Sequence, residues 1–332
     1  MNQTIVSVSP ARSGVKEESM HIVIAEPLGI SEDILENLTA DLKAKGWELT
    51  AYDSRPKDQA DLGDRLAGAE VAVIANYPLK EEALAKADAL RFLSVAFTGV
   101  DHIALDVCKE KGIAVSNCAG YSTESVSELA ISMALALLRF LPACGDAVRG
   151  GKTAAGLTGR ELGGRTFGII GTGAIGMRTA ELARAFGCEV IAYSRTKKDN
   201  FIHYESLETV MEASDVISVH VPLNDATRGL IGEKEIALMK PSALFINTAR
   251  GPIVDNGALA KALKEGRIAG AGIDVYEMEP PIPADHPLLS APHTILTPHV
   301  GFATEEAMRR RAVLVFDNIR QWAEGKQQNV IC

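Results

Sequence analysis

The sequence predicts an α/β protein made of two doubly wound domains, each built on a parallel sheet. Three observations lead to this prediction. The length of 332 residues suits two domains of roughly 150 residues each. Short apolar runs alternate with helix-like stretches along most of the chain, as in parallel sheets with helices on both faces. A glycine-rich turn joins one apolar run, residues 166–170, to the helical stretch after it.

The first part of the chain contains five candidate strands. They are residues 21–25, 47–52, 71–75, 92–96 and 113–115. Ser31 is placed to cap a helix with an apolar face between the first two of these strands. This unit, residues 20–118, has no glycine fingerprint, so we do not expect it to hold a dinucleotide. Residues 1–19 are polar and without pattern, and we expect them to be an N-terminal extension outside the fold.

The second unit follows a long apolar helix, predicted at residues 123–140, and a glycine-rich loop, predicted at 145–164. Its candidate strands are residues 166–170, 188–193, 216–219, 243–247 and 268–273. A last amphipathic helix, residues 305–324, begins after this unit ends, so we expect it to pack back on the first unit. The prediction is therefore a discontinuous domain, residues 20–118 and 300–332, around a second domain at 119–299.

The glycine-rich turn carries the most specific local signal. Gly171, Gly173 and Gly176 follow the spacing G-x-G-x-x-G between a strand and a helix. Gly171 permits the tight turn, Gly173 lets the backbone approach a pyrophosphate, and Gly176 lets helix and strand pack closely. The unpaired N–H groups of the helix N-terminus would hold the pyrophosphate. This context predicts a dinucleotide site.

Three candidate catalytic residues, Arg250, Glu279 and His299, follow strands of the second unit. Ligands gather at the carboxyl ends of parallel strands, so the three side chains can converge there. Arg250 offers a planar fork for a carboxylate. His299 can give or take a proton near neutral pH, and Glu279 can orient it and favour its protonated form. Each residue alone is more often structural, but together they favour hydride transfer to a 2-keto acid.

Seven motifs resemble, in order, those of the D-isomer-specific 2-hydroxyacid dehydrogenase family. They are FTGVDHIALD (97–106), GIAVSNCAGYSTESVSE (112–128), GIIGTGAIG (168–176), HVPLNDATRGLIG (220–232), INTARGPIVD (246–255), AGIDVYEMEP (271–280) and TPHVGFAT (297–304). The resemblance covers roughly residues 95–329. It implies a Rossmann cofactor domain inserted into a flavodoxin-like substrate domain, in agreement with the discontinuous first domain.

The resemblance also implies roles for the matching residues. Arg250 would anchor the substrate, Glu279 would be the partner of His299, and His299 would be the acid/base. Backbone N–H groups of Thr98, Gly99 and Val100 would hold the substrate carboxylate. Asp274 would face the nicotinamide carboxamide, and its alternative role is a helix cap at the end of a strand. The predicted cofactor-binding residues are Gly171, Thr172, Gly173, Ala174, Ile175, Gly176, Ser194, Arg195, Thr196, Val221, Pro222, Thr227, Thr248, Ala249, Arg250, Asp274, His299 and Gly301.

The cofactor preference follows from a departure from the family's pattern. The family usually has an aspartate for the adenine ribose at the end of the second Rossmann strand, where this chain has Ser194, followed by Arg195, Thr196, Lys197 and Lys198. A carboxylate would repel a 2′-phosphate, whereas a serine beside an arginine would accept one. The sequence therefore favours NADP over NAD. The alternative is a solvated basic loop in an enzyme that still uses NAD.

Composition narrows the classes of partner. A net charge of −9 argues against a nucleic-acid or anionic-membrane binder. The five cysteines are scattered and form no C-x-x-C, which favours reduced thiols in the cytoplasm over disulfides or a metal site. We expect a small 2-keto or 2-hydroxy acid as the partner, and no metal. The apolar helix 123–140 suits the interface of a homodimer, although a buried core helix explains it equally well.

Two further functions are compatible with the sequence. The chain stops at Cys332, so a D-3-phosphoglycerate dehydrogenase of this kind would lack the C-terminal regulatory domain. A dinucleotide-sensing scaffold of the corepressor type shares the fold, and fold alone does not decide function. The formate-oxidising branch pairs its histidine with glutamine, so Glu279 disfavours it. A reductase of glyoxylate, hydroxypyruvate or a pyruvate-like acid is the first hypothesis.

Overall fold

The structure, a computed structural model, describes residues 19–197 and 201–332. Residues 1–18 of the predicted extension, and Lys198 of the basic loop, lie outside the described residues. The elements in chain order are β1 (His21–Ile24), α1 (Glu32–Ala44), β2 (Glu48–Ala51), α2 (Gln59–Leu66), β3 (Val71–Ile74), α3 (Glu81–Leu84), β4 (Phe92–Val95), α4 (Leu105–Glu110), β5 (Ala114–Asn117), α5 (Thr123–Leu138), α6 (Leu141–Arg149), β6 (Thr166–Ile170), α7 (Ala174–Ala185), β7 (Glu189–Tyr193), β8 (His203–Tyr204), α8 (Leu207–Ala213), β9 (Val216–Val219), α9 (Glu233–Ala237), β10 (Leu244–Asn247), α10 (Asn256–Lys264), β11 (Gly270–Ile273), β12 (Thr294–Leu296) and α11 (Glu305–Ala323).

The first sheet has the strand order β2-β1-β3-β4-β5, and its strands are parallel. Every residue of β3 and β4 is buried, because helices cover both faces of a sheet of this kind. The direction of winding reverses between β1 and β3, as it does in flavodoxin-like folds. The carboxyl ends of these two strands therefore border a crevice.

The second sheet has the order β12-β11-β10-β9-β6-β7-β8 and is also parallel. Its strands extend in both directions from the pair β6 and β9, which is the Rossmann arrangement. The predicted fold class, two doubly wound parallel sheets, is confirmed. The strand β8 was not predicted, because two residues carry no periodic signal.

The C-terminal helix α11 packs on the first sheet, as the sequence predicts. Trp322 stacks on Phe92 of β4 with the ring centroids 4.8 Å apart, and Val315 and Phe316 are fully buried. Beyond the helix, Val330 forms an antiparallel bridge with Ser116 of β5. The chain thus leaves the first sheet after β5 and returns to it at α11.

The region after α5 differs from the prediction. The predicted helix 123–140 ends at Leu138, and part of the predicted loop 145–164 is helical, because α6 extends to Arg149. Phe140 takes a left-handed conformation, φ 53°, and so breaks the helix. Pro142 then lies in the first turn of α6, where its missing N–H costs nothing. No side chain of α6 is buried.

We find no single helix in residues 19–197 and 201–332 with the length and apolar character needed to cross a membrane. Within the described part of the chain, α5 and α6 meet those criteria when taken together, and the two are bent by 56° relative to each other.

Candidate active site

A cavity of about 570 Å³ lies between the two sheets and is lined from both. Its walls come from loops at the carboxyl ends of strands, where α/β sheets bind ligands. The predicted site residues that line it are Thr98, Gly99, Val100, Gly173, Ala174, Ile175, Val221, Pro222, Thr248, Ala249, Arg250, Asp274, His299 and Gly301. The structure therefore brings most of the predicted set together. The predicted site residues that do not line this cavity are Gly171, Thr172, Gly176, Ser194, Arg195, Thr196, Thr227 and Glu279.

His299 and Glu279 form a close pair at the edge of this cavity. The Nδ1 atom of His299 lies 2.8 Å from Oε1 and 2.9 Å from Oε2 of Glu279. The imidazole is 10% exposed, whereas the carboxylate is 42% exposed. Burial would raise the pKa of Glu279, but the hydrogen bond and charge of His299, together with Arg250, outweigh it, and the pKa lies below its ordinary value. The carboxylate therefore stays ionised and accepts the Nδ1 proton, which leaves Nε2 for proton exchange.

Asp274 holds the loop that carries His299. Its Oδ1 accepts the N–H of Val300 at 2.8 Å, and its Oδ2 accepts the N–H of Gly301 at 2.8 Å. The hydroxyl of Thr297 donates to the same carboxylate. Because these donors lie on both sides of His299, the fully buried Asp274 fixes the backbone there. These bonds give Asp274 a role in holding the loop, and its contact with the nicotinamide stays a prediction for a residue that lines the cavity.

Arg250 crosses from the second sheet to a loop of the first. Its Nε donates to Oδ1 of Asp101 at 3.1 Å, and its Nη1 donates to the carbonyl of Ala249 at 2.8 Å. The guanidinium lies over the ring of Phe97, 5.6 Å from its centroid. A Cβ at Gly99 would lie 1.8 Å from Nη2 of Arg250. A side chain at this position would therefore move the guanidinium from its place against the loop.

Phe97 connects the two halves of the site. Its ring meets the ring of His299 edge-on at 5.7 Å between centroids, and Arg250 lies over it. Phe302 meets both Phe97 and His299 at 5.2 and 5.6 Å. The two phenylalanines therefore place the imidazole and the guanidinium around a common apolar wall.

Two other histidines near the site are poorly suited to donate a proton. His220 lines the cavity, but burial lowers its pKa to about 3, so it is neutral at physiological pH. Its Nε2 lies 2.9 Å from the hydroxyl of Ser218. Burial also lowers the pKa of His102, whose Nε2 lies 2.9 Å from the carbonyl of Ala75. His299 is thus the cavity histidine that has a carboxylate partner.

The glycine turn has the form that a pyrophosphate requires. Gly171 has φ 101°, a value that favours glycine. A Cβ at Gly176 would lie 1.9 Å from the carbonyl oxygen of Gly171, whereas one at Gly173 would meet no atom within 4 Å. Gly176 therefore serves packing, and Gly173 faces open space at the start of α7. Thr172 is buried and accepts a hydrogen bond from Tyr204 at 3.3 Å.

The predicted adenine end lies beside this turn and outside the cavity. The N–H of Gly171 donates to the carbonyl of Tyr193 at 2.8 Å, and Ser194 follows directly. Ser194 is half-buried, and Arg195 and Thr196 are exposed. Thr227 does not line the cavity, but its hydroxyl donates to the carbonyl of Pro222, which does, at 2.6 Å.

Comparison with known proteins identifies the family. The family profile described as D-isomer specific 2-hydroxyacid dehydrogenase, NAD binding domain, matches residues 131–301. A glyoxylate reductase from Aeropyrum pernix is 41% identical over 256 residues, which are 73% of this chain and 76% of that protein. The chain belongs to the D-isomer-specific 2-hydroxyacid dehydrogenase family. It is therefore an oxidoreductase that transfers a hydride between a nicotinamide dinucleotide and a 2-hydroxy or 2-keto acid.

Two further relatives are similar to this dehydrogenase over most of its length. A glycerate dehydrogenase from Methylorubrum extorquens is 38% identical over 281 residues, 82% of this chain and 88% of that protein. The solved structure of an acyclic imino acid reductase in complex with NADPH and D-Arg matches with a TM-score of 0.86 at 28% identity, over 94% of this chain and 100% of that one. The family resemblance seen in the seven motifs is confirmed.

The residues of this dehydrogenase fit a nicotinamide dinucleotide. Gly173 leaves open space at the N-terminus of α7, where a pyrophosphate binds in Rossmann folds. Thr248 lines the cavity, and its buried hydroxyl oxygen has no hydrogen-bond partner among the described residues. A buried polar atom without a partner is costly unless a ligand supplies one.

Nowhere in the described ranges is a group of His, Cys, Asp or Glu arranged to hold a metal ion.

Sequence reasoning missed Asp101 and the phenylalanine wall of the dehydrogenase. Asp101 and Phe97 both stand in the quoted motif FTGVDHIALD, and Phe302 stands in TPHVGFAT. A carboxylate directly after the proposed substrate loop was a usable signal for Asp101. The aromatic residues gave no comparable signal, because apolar residues at strand ends are common in cores.

Proposed function

We propose that this enzyme reduces a small 2-keto acid of the glyoxylate, hydroxypyruvate or pyruvate type to the D-2-hydroxy acid. The observation that carries the proposal is the His299–Glu279 pair at a cavity that Arg250 also lines. The relatives described above as a glyoxylate reductase and a glycerate dehydrogenase support this substrate class.

Arg250 is suited to anchor the substrate in this proposal. Asp101 and Ala249 hold Nε and Nη1 of the guanidinium, so Nη2 remains beside Gly99. That amino group would donate to the substrate carboxylate and to the carbonyl oxygen. Backbone N–H groups of the loop 98–100 would bind the other carboxylate oxygen. In this arrangement Asp101 positions the anchor without touching the substrate.

His299 would act as general acid in reduction and as general base in oxidation. When bound, the reduced dinucleotide supplies a hydride to the carbonyl carbon. Glu279 holds Nδ1, so Nε2 of His299 donates the proton to the carbonyl oxygen. Hydride and proton together convert C=O to CH–OH, and water returns a proton to the imidazole before the next turnover. The ionised Glu279 stabilises the imidazolium form that donates.

NADP is the cofactor that we infer to be preferred, with NAD as the alternative. Ser194 and Arg195 directly follow β7, beside the glycine turn, and the side chain of Arg195 is exposed. No carboxylate stands at position 194 to repel a 2′-phosphate. The preference is supported by a related imino acid reductase, whose solved structure contains NADPH.

We also infer that the enzyme is a cytoplasmic homodimer. The domain limits that we infer are at residues 118/119 and 299/300. The free state of all five cysteines supports a reducing compartment. The side chains of Leu141 and Val148 on α6 are 56% and 77% exposed. Burying them against a second copy would remove apolar surface from water.

The test is turnover by the purified protein with a panel of 2-keto acids and both reduced dinucleotides. The expected result is consumption of the dinucleotide with glyoxylate or hydroxypyruvate, and a product of D configuration where the product is chiral. Absence of turnover with every 2-keto acid, in a protein that binds dinucleotide, would instead favour the sensing scaffold.

A further inference from the structure

A second cavity, of about 400 Å³, borders the first one. His299 and Phe302 line both cavities, whereas Glu279 lines only the second. A molecule whose reacting carbon lies at His299 would extend a substituent past these shared residues toward the second cavity. The roles assigned to the first cavity leave this space unused.

The second cavity lies at the switch point of the first sheet. Glu26 follows β1 and Asn76 follows β3, and these are the neighbouring strands between which the winding reverses. Crevices at such points are where doubly wound sheets bind ligands. Oε1 of the buried Glu26 accepts the N–H groups of Ala75 and Tyr77 at 2.7 and 3.0 Å. Glu26 thus fixes the loop on which Asn76 stands.

Arg55 supplies a positive charge to this cavity. It follows β2, lines the cavity, and has a side chain that is 50% exposed. Its Nη2 donates to Oδ1 of Asn76 at 3.3 Å, and its guanidinium lies 5.7 Å from the centroid of the Tyr77 ring. The nearest Glu26 oxygen is 3.7 Å from Nε. These contacts hold the guanidinium in place but use only part of its five donors.

The other charged groups of the cavity restrict the charge of its occupant. Arg311 lines the wall, is 4% exposed, and donates from Nη2 to the carbonyl of Leu28 at 2.7 Å. Glu26 and Glu279 also line it. These two carboxyl groups would repel a doubly charged phosphate more than a singly charged carboxylate. A planar carboxylate also matches the fork of a guanidinium.

We propose that Arg55 binds a second carboxylate on the chain of the 2-keto acid, so that dicarboxylic 2-keto acids are substrates. The proposal rests on the function proposed above, since it places the reacting carbon at His299. It makes Arg55 a specificity-determining residue that touches the distal end of the substrate and takes no part in the chemistry.

The experiment compares two substrates of equal chain length, 2-oxoglutarate and 2-oxopentanoate, which differ in the distal carboxylate. The measured quantity is the ratio of their kcat/KM values, because any general effect on catalysis cancels in it. We expect a ratio well above one in the wild type, and a fall of at least about tenfold in Arg55→Gln. Arg55→Lys keeps the charge but loses the fork, so it should lie between the two.

The matched control is Lys57→Gln, which removes one positive charge from an exposed residue of the same loop. It should leave the ratio unchanged, since Lys57 does not line the cavity. A ratio near one in the wild type, or one that Arg55→Gln does not lower, would overturn the proposal. So would an equal fall in Lys57→Gln.

A binding measurement keeps this test separate from that of the proposed function. Calorimetry of 2-oxoglutarate with the dinucleotide-loaded protein should show affinity at least about tenfold weaker in Arg55→Gln. If no 2-keto acid turns over, the proposed function fails, and the calorimetry still decides for or against the carboxylate subsite. Unchanged affinity in Arg55→Gln rejects the subsite.

Discussion

At the scale of single residues, the buried carboxylate of Asp274 holds the backbone beside His299. His299 has φ 57°, and the left-handed region costs a non-glycine residue on the order of 1–3 kcal/mol. Asp274 accepts the N–H groups of the two residues that follow His299. The charge-assisted bonds offset this cost and keep the imidazole beside Glu279.

The lowered pKa of Glu279 predicts an acid-dependent contribution to stability. A carboxyl group whose pKa falls on folding stabilises the fold above its unfolded pKa, and the contribution disappears as the pH falls through the folded value. Its ordinary value is 4.5 and the folded value is lower. The difference in Tm between wild type and Glu279→Gln should therefore shrink as the pH falls below 4.5. The same substitution at the exposed Glu110 is the control, and a pH-independent difference at Glu279 would contradict the assignment.

At the scale of elements, two glycines of the turn between β6 and α7 have different roles. Gly176 allows close packing, and Gly173 leaves space for binding. A Cβ at Gly176 would clash with backbone, whereas a Cβ at Gly173 would point into open space. We expect Gly176→Ala to destabilise the fold by about 1–3 kcal/mol or more. Gly173→Ala should keep the wild-type Tm and weaken dinucleotide binding at least about tenfold, because its methyl group occupies the path of the pyrophosphate.

Thermal unfolding and dinucleotide titration of the two variants check this prediction. Each variant is the control for the other, since both add one methyl group to the same turn. Equal losses of Tm in both variants, or full dinucleotide affinity in Gly173→Ala, would show that the two glycines do not have separate roles.

The loop after β7 predicts the choice of cofactor. A charge-assisted contact from Arg195 to a 2′-phosphate is worth about 1.5–3 kcal/mol, so kcat/KM should favour NADPH over NADH by about ten- to a hundredfold. The double change Ser194→Asp with Arg195→Ala should reverse the preference. Steady-state kinetics with both cofactors is the measurement. Equal efficiencies that Arg195→Ala does not alter would leave the loop as a solvated surface feature.

At the scale of the whole molecule, the site is shared by two units that the chain connects near residues 119 and 300. Hydride transfer benefits from a site that excludes water, and such sites commonly close over their substrates. We predict that dinucleotide and substrate together make the molecule more compact. Small-angle scattering of the free and doubly liganded protein measures this, and an unchanged radius of gyration with both ligands bound would contradict it.

The sequence was sufficient for the parts of the site that depend on local rules. Arg250, Glu279 and His299 follow strands of one parallel sheet, so topology alone predicts that they converge. The sequence did not predict the ion pair between Arg250 and Asp101, because this pair depends on how two separately wound sheets face each other. The break at Phe140 was also missed, since nothing in an apolar helix marks a single left-handed residue.

Whether the imidazole of His299 passes a proton to the substrate within the cavity is measured most directly by the turnover of His299→Asn. Asparagine keeps polar groups at the position but cannot act as an acid near neutral pH. We predict a kcat at least about a hundredfold lower, with dinucleotide affinity close to that of the wild type. A variant that reduces 2-keto acids at the wild-type rate would remove His299 from the mechanism.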